Sequence, residues 1–127
     1  TAEPAFQPRP ETQAPLLLDL LALDEGAFRA RFRGSPVLRA RRRGLLRNVA
    51  VALGNWGEPA ALPALLAALR DAEPLVRGHA AWAIGQIDAA QSLQAPPSAA
   101  GQALRQALER EADSWVREEL ELALCRP

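Results

Sequence analysis

The sequence predicts an all-α fold: a short right-handed α-solenoid of stacked helical hairpins, led by an extended N-terminal linker. Three observations carry this. First, hydrophobic residues make up 49% of the 127-residue chain, yet it holds only three Phe, three Trp and no Tyr. Its core must therefore come from Leu, Val, Ile and Ala, and Ala and Leu are the strongest helix formers. Second, helix start and stop signals follow one another at short intervals from Pro15 onward. Third, the chain repeats. Val49, Ala50, Ala52, Leu53 and Gly54 return 31 residues later as Ala80, Ala81, Ala83, Ile84 and Gly85. Val76, Arg77, Ala83 and Ile84 return 40 residues later as Val116, Arg117, Ala123 and Leu124, and Ala64, Leu65 and Leu69 reappear as Ala103, Leu104 and Leu108. A hairpin of this length cannot bury its apolar stripe alone, so the stack is the core.

Residues 1–14, rich in proline, read as an extended linker, and residues 15–127 as the repeat domain. Pro15 suits the first helical position of LLLDLLALD. Asp24 is a candidate N-cap for the next helix, which places Phe28 and Phe32 on one face and stops at Gly34. Ser35 followed by Pro36 starts another helix, with a break expected near Gly44 and a stop at Gly54 and Asn55. Glu58 and Pro59 open PAALPALLAALRD, and Asp71 to Pro74 punctuate before LVRGHAAWAIGQI. A polar loop is expected over residues 88–100, then GQALRQALERE and, capped by Asp113 or Ser114, WVREELELALC.

Charge is balanced overall and uneven locally. Residues 26–57 carry eight arginines and no carboxylate, whereas residues 109–121 hold six acids against two arginines. A solvated helix face normally mixes signs for pairing one turn apart. A block without acids instead fits a polyanion or an acidic partner domain. Every basic residue is Arg, as forked phosphate recognition favours, although genome composition gives the same bias. Cys125 is the single cysteine, so no internal disulfide or metal cluster is expected, and a reducing, cytoplasmic setting is. No run reaches the length of a membrane span, and the N-terminal stretch is not a signal peptide. The proline-rich start without Met is expected of a piece of a longer protein.

VRGHAAWAIGQI and GNWGEPAALPALLAAL resemble HEAT-like repeats. More specifically, FRARFRGSPVLRARRRGLLRNVAVALGN followed by EPLVRGHAAWAIG resembles the C-terminal region of bacterial epoxyqueuosine reductases, over nearly the whole chain. The resemblance implies a parent oxidoreductase acting in queuosine formation in tRNA, with cobalamin and two 4Fe–4S clusters held by upstream domains. This segment is expected to hold no cofactor and to be inactive alone. The resemblance also implies an RNA partner, the tRNA anticodon stem-loop. Arg29, Arg31, Arg33, Arg39, Arg41, Arg42 and Arg43 are then the candidate phosphate contacts, with Arg39, Arg43 and Arg47 in one stripe. Arg47 and Asn48 are expected inside the protein. The alternative use of some arginines is to anchor the upstream catalytic domains. A protein-binding adaptor, such as the relatives of bilin lyases with similar repeats, and a HEAT-like DNA-repair module are the other readings open at this point.

The repeat offsets align Asn48 with His79, Val51 with Trp82, and His79 with Glu119. Asn48, His79 and Glu119 are thus expected as a polar ladder along the concave face, suited to backbone or phosphate contact or simply to solvent. His79, lacking a catalytic partner, is expected in a structural hydrogen bond or on a binding surface. Trp82 is expected beneath a neighbouring repeat, with a base-stacking platform as the alternative.

Overall fold

The computed structural model describes residues 10–91 and 98–125. Helix α1 (Pro10–Leu21) leads to α2 (Glu25–Arg31), α3 (Val37–Trp56), a 3-10 turn (Pro59–Ala61) continuing into α4 (Leu62–Ala68), α5 (Pro74–Gln91), α6 (Ala99–Arg110) and α7 (Ser114–Leu124). No strand occurs among the described residues. Three hairpins, α1 with α3, α4 with α5 and α6 with α7, stack so that α3 packs on α5 and α5 on α7, while α1, α4 and α6 form the other layer.

Capping follows the sequence closely. The Asp24 carboxylate accepts from the Ala27 N–H at 2.7 Å, and Phe28 meets Phe32 at a centroid distance of 5.2 Å. Gly34 turns with φ +75°, and Ser35 Oγ accepts from the Val37 N–H at 3.1 Å. Asp113 caps α7 by accepting from Val116 at 2.9 Å. These are contacts within four residues, set by local chemistry alone.

Several expected boundaries move. α1 begins at Pro10, so residues 10–14 of the expected linker are helical; residues 1–9 lie outside the described residues. Proline at the first helical position leaves no additional N–H unpaired, and Pro15 inside the helix removes one ladder bond without ending it. The break in α3 falls at Arg41 (φ 64°, ψ 160°) and not at Gly44. α3 runs on past Gly54 to Trp56 and is closed by Gly57 with φ +77°, whose N–H donates to the Leu53 carbonyl. α5 continues to Gln91 through the start of the expected loop, and Ser98 caps α6. Residues 92–97 of that loop lie outside the described residues.

The central helix α5 is buried on two sides. Val76, Ala80, Ala83, Ile84 and Ile87 repeat at helical spacing, and Ala81 is buried as well. Leu46 and Leu53 of α3, Leu65 of α4, Leu104 of α6, and Val116 and Leu120 of α7 complete the core. Each such side chain contributes about 1.5–3 kcal/mol of burial. Gly54 sits where α3 presses on α5: a Cβ there would lie 2.7 Å from Trp82 Cζ3 and 3.0 Å from the Ala83 Cα. Gly54 therefore sets helix spacing and does not end the helix. Gly54→Ala improves helix propensity but forces the two helices apart; a net loss of about 1–2 kcal/mol is expected, read as a lower urea midpoint with unchanged helical circular dichroism.

Candidate nucleic-acid interface

The arginines of α2 and α3 divide by partner. Arg29 pairs with Glu25 at 2.9 Å, but both side chains are more than half exposed, so the pair holds the guanidinium only by a few tenths of a kcal/mol. Arg43 lies 3.8 Å from Glu73, again in solvent. Arg31, Arg33, Arg39 and Arg41 are exposed, and their side chains have neither ion pair nor hydrogen bond among the described residues. Arg29, Arg41 and Arg43, with Glu25 and Glu73, border a cleft of about 400 Å3. The backbone reversal at Arg41 separates Arg39 from Arg43 and Arg47, so the expected continuous stripe is interrupted.

Arg42 belongs to the interior, contrary to its placement among the phosphate contacts. Its side chain is 11% exposed, Nε donates to the Leu23 carbonyl at 2.6 Å, and the guanidinium binds both oxygens of Asp71. The turn at Arg41 makes this reach possible. Arg47 and Asn48, expected inside, are exposed and bond to each other at 3.2 Å. Beyond the break, the buried stripe of α3 is Leu46, Val49, Ala50 and Leu53, which leaves positions 47 and 48 on the opposite side.

Arg42 starts a ladder that the sequence reading did not find. Arg77 donates from Nε and Nη2 to the two oxygens of Glu111, both at 2.8 Å, and from Nη1 to the carbonyls of Asp71 and Ala72. Arg117 Nη1 donates to the carbonyls of Leu108 and Glu111. Each corner acid also accepts from the N–H two residues on, Glu73 for Asp71 and Asp113 for Glu111. One carboxylate per corner thus joins an arginine of the preceding hairpin to its own loop. Asp71 and Glu111 stand 40 apart, the repeat offset itself, which was the available signal.

Both carboxyls sit below the usual range. Burial pushes Asp71 up, but the hydrogen bonds from Arg42 and the Glu73 N–H, with the Arg42 charge, outweigh it. For Glu111 the Arg77 hydrogen bond leads, opposed by burial. A carboxyl depressed in the folded state gives stability that is present above its unfolded pKa, about 4, and lost as pH falls through the folded value. Glu111→Gln is expected to cost about 2 kcal/mol at pH 7 and to flatten the loss of stability below pH 4, measured by denaturant unfolding across pH.

The ladder expected on the second helices forms in part. His79, Trp82 and Glu119 gather with Val51 and Trp115 around a notch of about 260 Å3. α3 contributes Val51 there, and Asn48 is not part of it. His79 Nδ1 is 2.8 Å from the Leu75 carbonyl, the structural bond expected. Trp82 lies over Gly54, and Trp115 over Gly78, where an added Cβ would run into the indole. Trp115 was missed; a glycine inside an otherwise regular helix was the sign of a close neighbour.

No group of three or more His, Cys, Asp or Glu is placed to hold a metal ion among the described residues. A four-iron cluster takes four thiolates, and the chain has one cysteine, Cys125, exposed. Its residues do not fit a four-iron cluster. No described helix is long and apolar enough to cross a membrane.

Comparison with known proteins agrees with this geometry. A family profile described as HEAT repeats matches residues 36–125. The epoxyqueuosine reductase of Bacillus cereus is 32% identical over 122 residues, covering 95% of this chain and 30% of that protein. That of Alicycliphilus denitrificans is 42% identical over 97 residues, 67% of this chain and 27% of that protein. A crystal structure of epoxyqueuosine reductase with an epoxyqueuosine-modified tRNA-Tyr stem loop superposes with a TM-score of 0.74 at 33% identity, covering 96% of this chain and 31% of that one. The chain thus spans about 30% of the length of the curated relatives it matches. It belongs to the HEAT-repeat family, and its stacked hairpins correspond to the HEAT region of the epoxyqueuosine reductases.

Proposed function

We propose that this chain is the C-terminal, tRNA-holding portion of an epoxyqueuosine reductase, working in the cytoplasm beside the upstream domains that carry cobalamin and the 4Fe–4S clusters. One observation carries the reading: Arg31, Arg33, Arg39 and Arg41 stand in solvent without a carboxylate partner among the described residues, at the first hairpin of the array. Unpaired guanidinium groups that cost nothing to release are the physical means of holding phosphates. Support also comes from the likeness to a reductase crystallised with a tRNA stem loop. Arg29 and Arg43, held only by exposed carboxylates, join the contact surface, and Arg42 does not. The chain grips the anticodon stem-loop, and the reduction is performed elsewhere.

The test is binding of a tRNA-Tyr anticodon stem-loop across a salt series. Six phosphate contacts give a slope of log K against log salt of about −5, and each Arg→Ala change at the six positions reduces it by about 1. Arg41→Gly separates binding from folding, because glycine relieves the left-handed backbone. This variant is expected to bind RNA less tightly while melting higher, by about 1 kcal/mol of released strain. Incubated with reductant and the modified stem-loop, the chain is expected to leave the RNA mass unchanged. Absence of RNA binding at low salt overturns the reading in favour of docking to the upstream domains. Tighter binding of duplex DNA overturns it in favour of a repair module.

A further inference from the structure

Away from the arginine surface, α3, α5 and α7 form the notch of Val51, His79, Trp82, Trp115 and Glu119. Its walls are held in place. The Trp82 indole lies against Gly54 and the Trp115 indole against Gly78, so both rings are seated on helix backbone. The imidazole of His79 stands 5.4 Å from the Trp115 ring, tilted by 49°. A carbonyl only accepts, so His79 donates through Nδ1 to Leu75, and in the neutral ring Nε2 is left as an acceptor. Glu119, one turn beyond Trp115, has no hydrogen-bond or ion-pair partner among the described residues.

The surroundings are acidic. Glu118 and Glu121 are exposed and likewise unpartnered among the described residues. Arg117, the basic residue of α7, turns its Nη1 back to the carbonyls of Leu108 and Glu111. The notch therefore offers aromatic faces, a carboxylate and an imidazole acceptor.

We infer that this notch is a docking site for an arginine side chain of a protein partner. A guanidinium is flat and cationic, stacks on indole, and donates in a fork to a carboxylate, matching the faces of Trp82 and Trp115 and the acceptor Glu119. A volume of about 260 Å3 accommodates such a head group and falls below the range of larger ligand pockets. The carboxylate in the lining decides between macromolecules: a nucleotide brings its phosphate against Glu119, whereas an arginine-bearing segment brings the complementary charge. The assignment is independent of RNA binding by the first hairpin.

The test follows the three indole N–H resonances by NMR while the chain is titrated with acetyl-Gly-Arg-Gly-amide. Trp56 does not line the notch and serves as the internal reference. Saturable movement of Trp82 and Trp115 alone is expected, with the lysine counterpart binding more weakly. Glu119→Gln removes no contact of the fold and should weaken the arginine peptide about tenfold with unchanged circular dichroism. Three results overturn the assignment: no saturable movement with the arginine peptide, equal binding by Glu119→Gln, or movement of the same resonances by guanosine monophosphate at lower concentration.

Discussion

The corner carboxylate is the interaction on which the stack depends. Asp71 and Glu111 each face two ways, their oxygens taken by an arginine of the preceding hairpin and by an N–H of their own turn. Apolar burial drives the hairpins together and is non-directional. A two-toothed bond between guanidinium and carboxylate, partly shielded from water, is intolerant of slippage and so fixes the register of one repeat on the next. The hairpin's own arginine donates to carbonyls of the same loop, Arg77 to Asp71 and Ala72 and Arg117 to Leu108 and Glu111, so loop geometry and stacking geometry are set together.

This ladder also explains why charge alone does not identify the RNA-facing residues. Arg42 and Arg43 are neighbours in sequence and equal in chemistry. One is locked between the first and second hairpins, and the other lies in solvent beside Glu73. The difference is created by the backbone reversal at Arg41, which turns one guanidinium inward. A conformation that a non-glycine residue rarely holds is thereby offset by an ion pair it makes possible.

What could be read from the sequence was mostly what is decided within a few residues or repeated at a fixed interval. Asp24 and Asp113 cap because each carboxylate finds an N–H three positions on; at α3 the cap position is Pro36, and Ser35 just before it accepts from the Val37 N–H. The alternation of hairpins and the core positions of α5 followed from the repeat. Gly54 was legible as a glycine but not in its role, since stopping a helix and admitting a neighbour leave the same mark in the sequence. Asp71 with Arg42 and Glu111 with Arg77 are separated by 29 and 34 residues, and only the stack brings them together. Asn48 lies on the exposed side of α3, and it is Val51 that this helix brings to the notch.

The corner bonds have a further consequence for how such a chain tolerates change. Asp71 to Arg77 and Glu111 to Arg117 both span six residues, so the distance from corner to arginine is held constant. The difference between a repeat of 31 and one of 40 residues is absorbed on the other edge, by the longer C-terminal end of α5 together with the connection that follows it. The two rims of the array are thus unequal. One cannot change length without breaking its ion pairs, and the other is the rim along which evolution, or a protein engineer, can insert new sequence while leaving the stack in register.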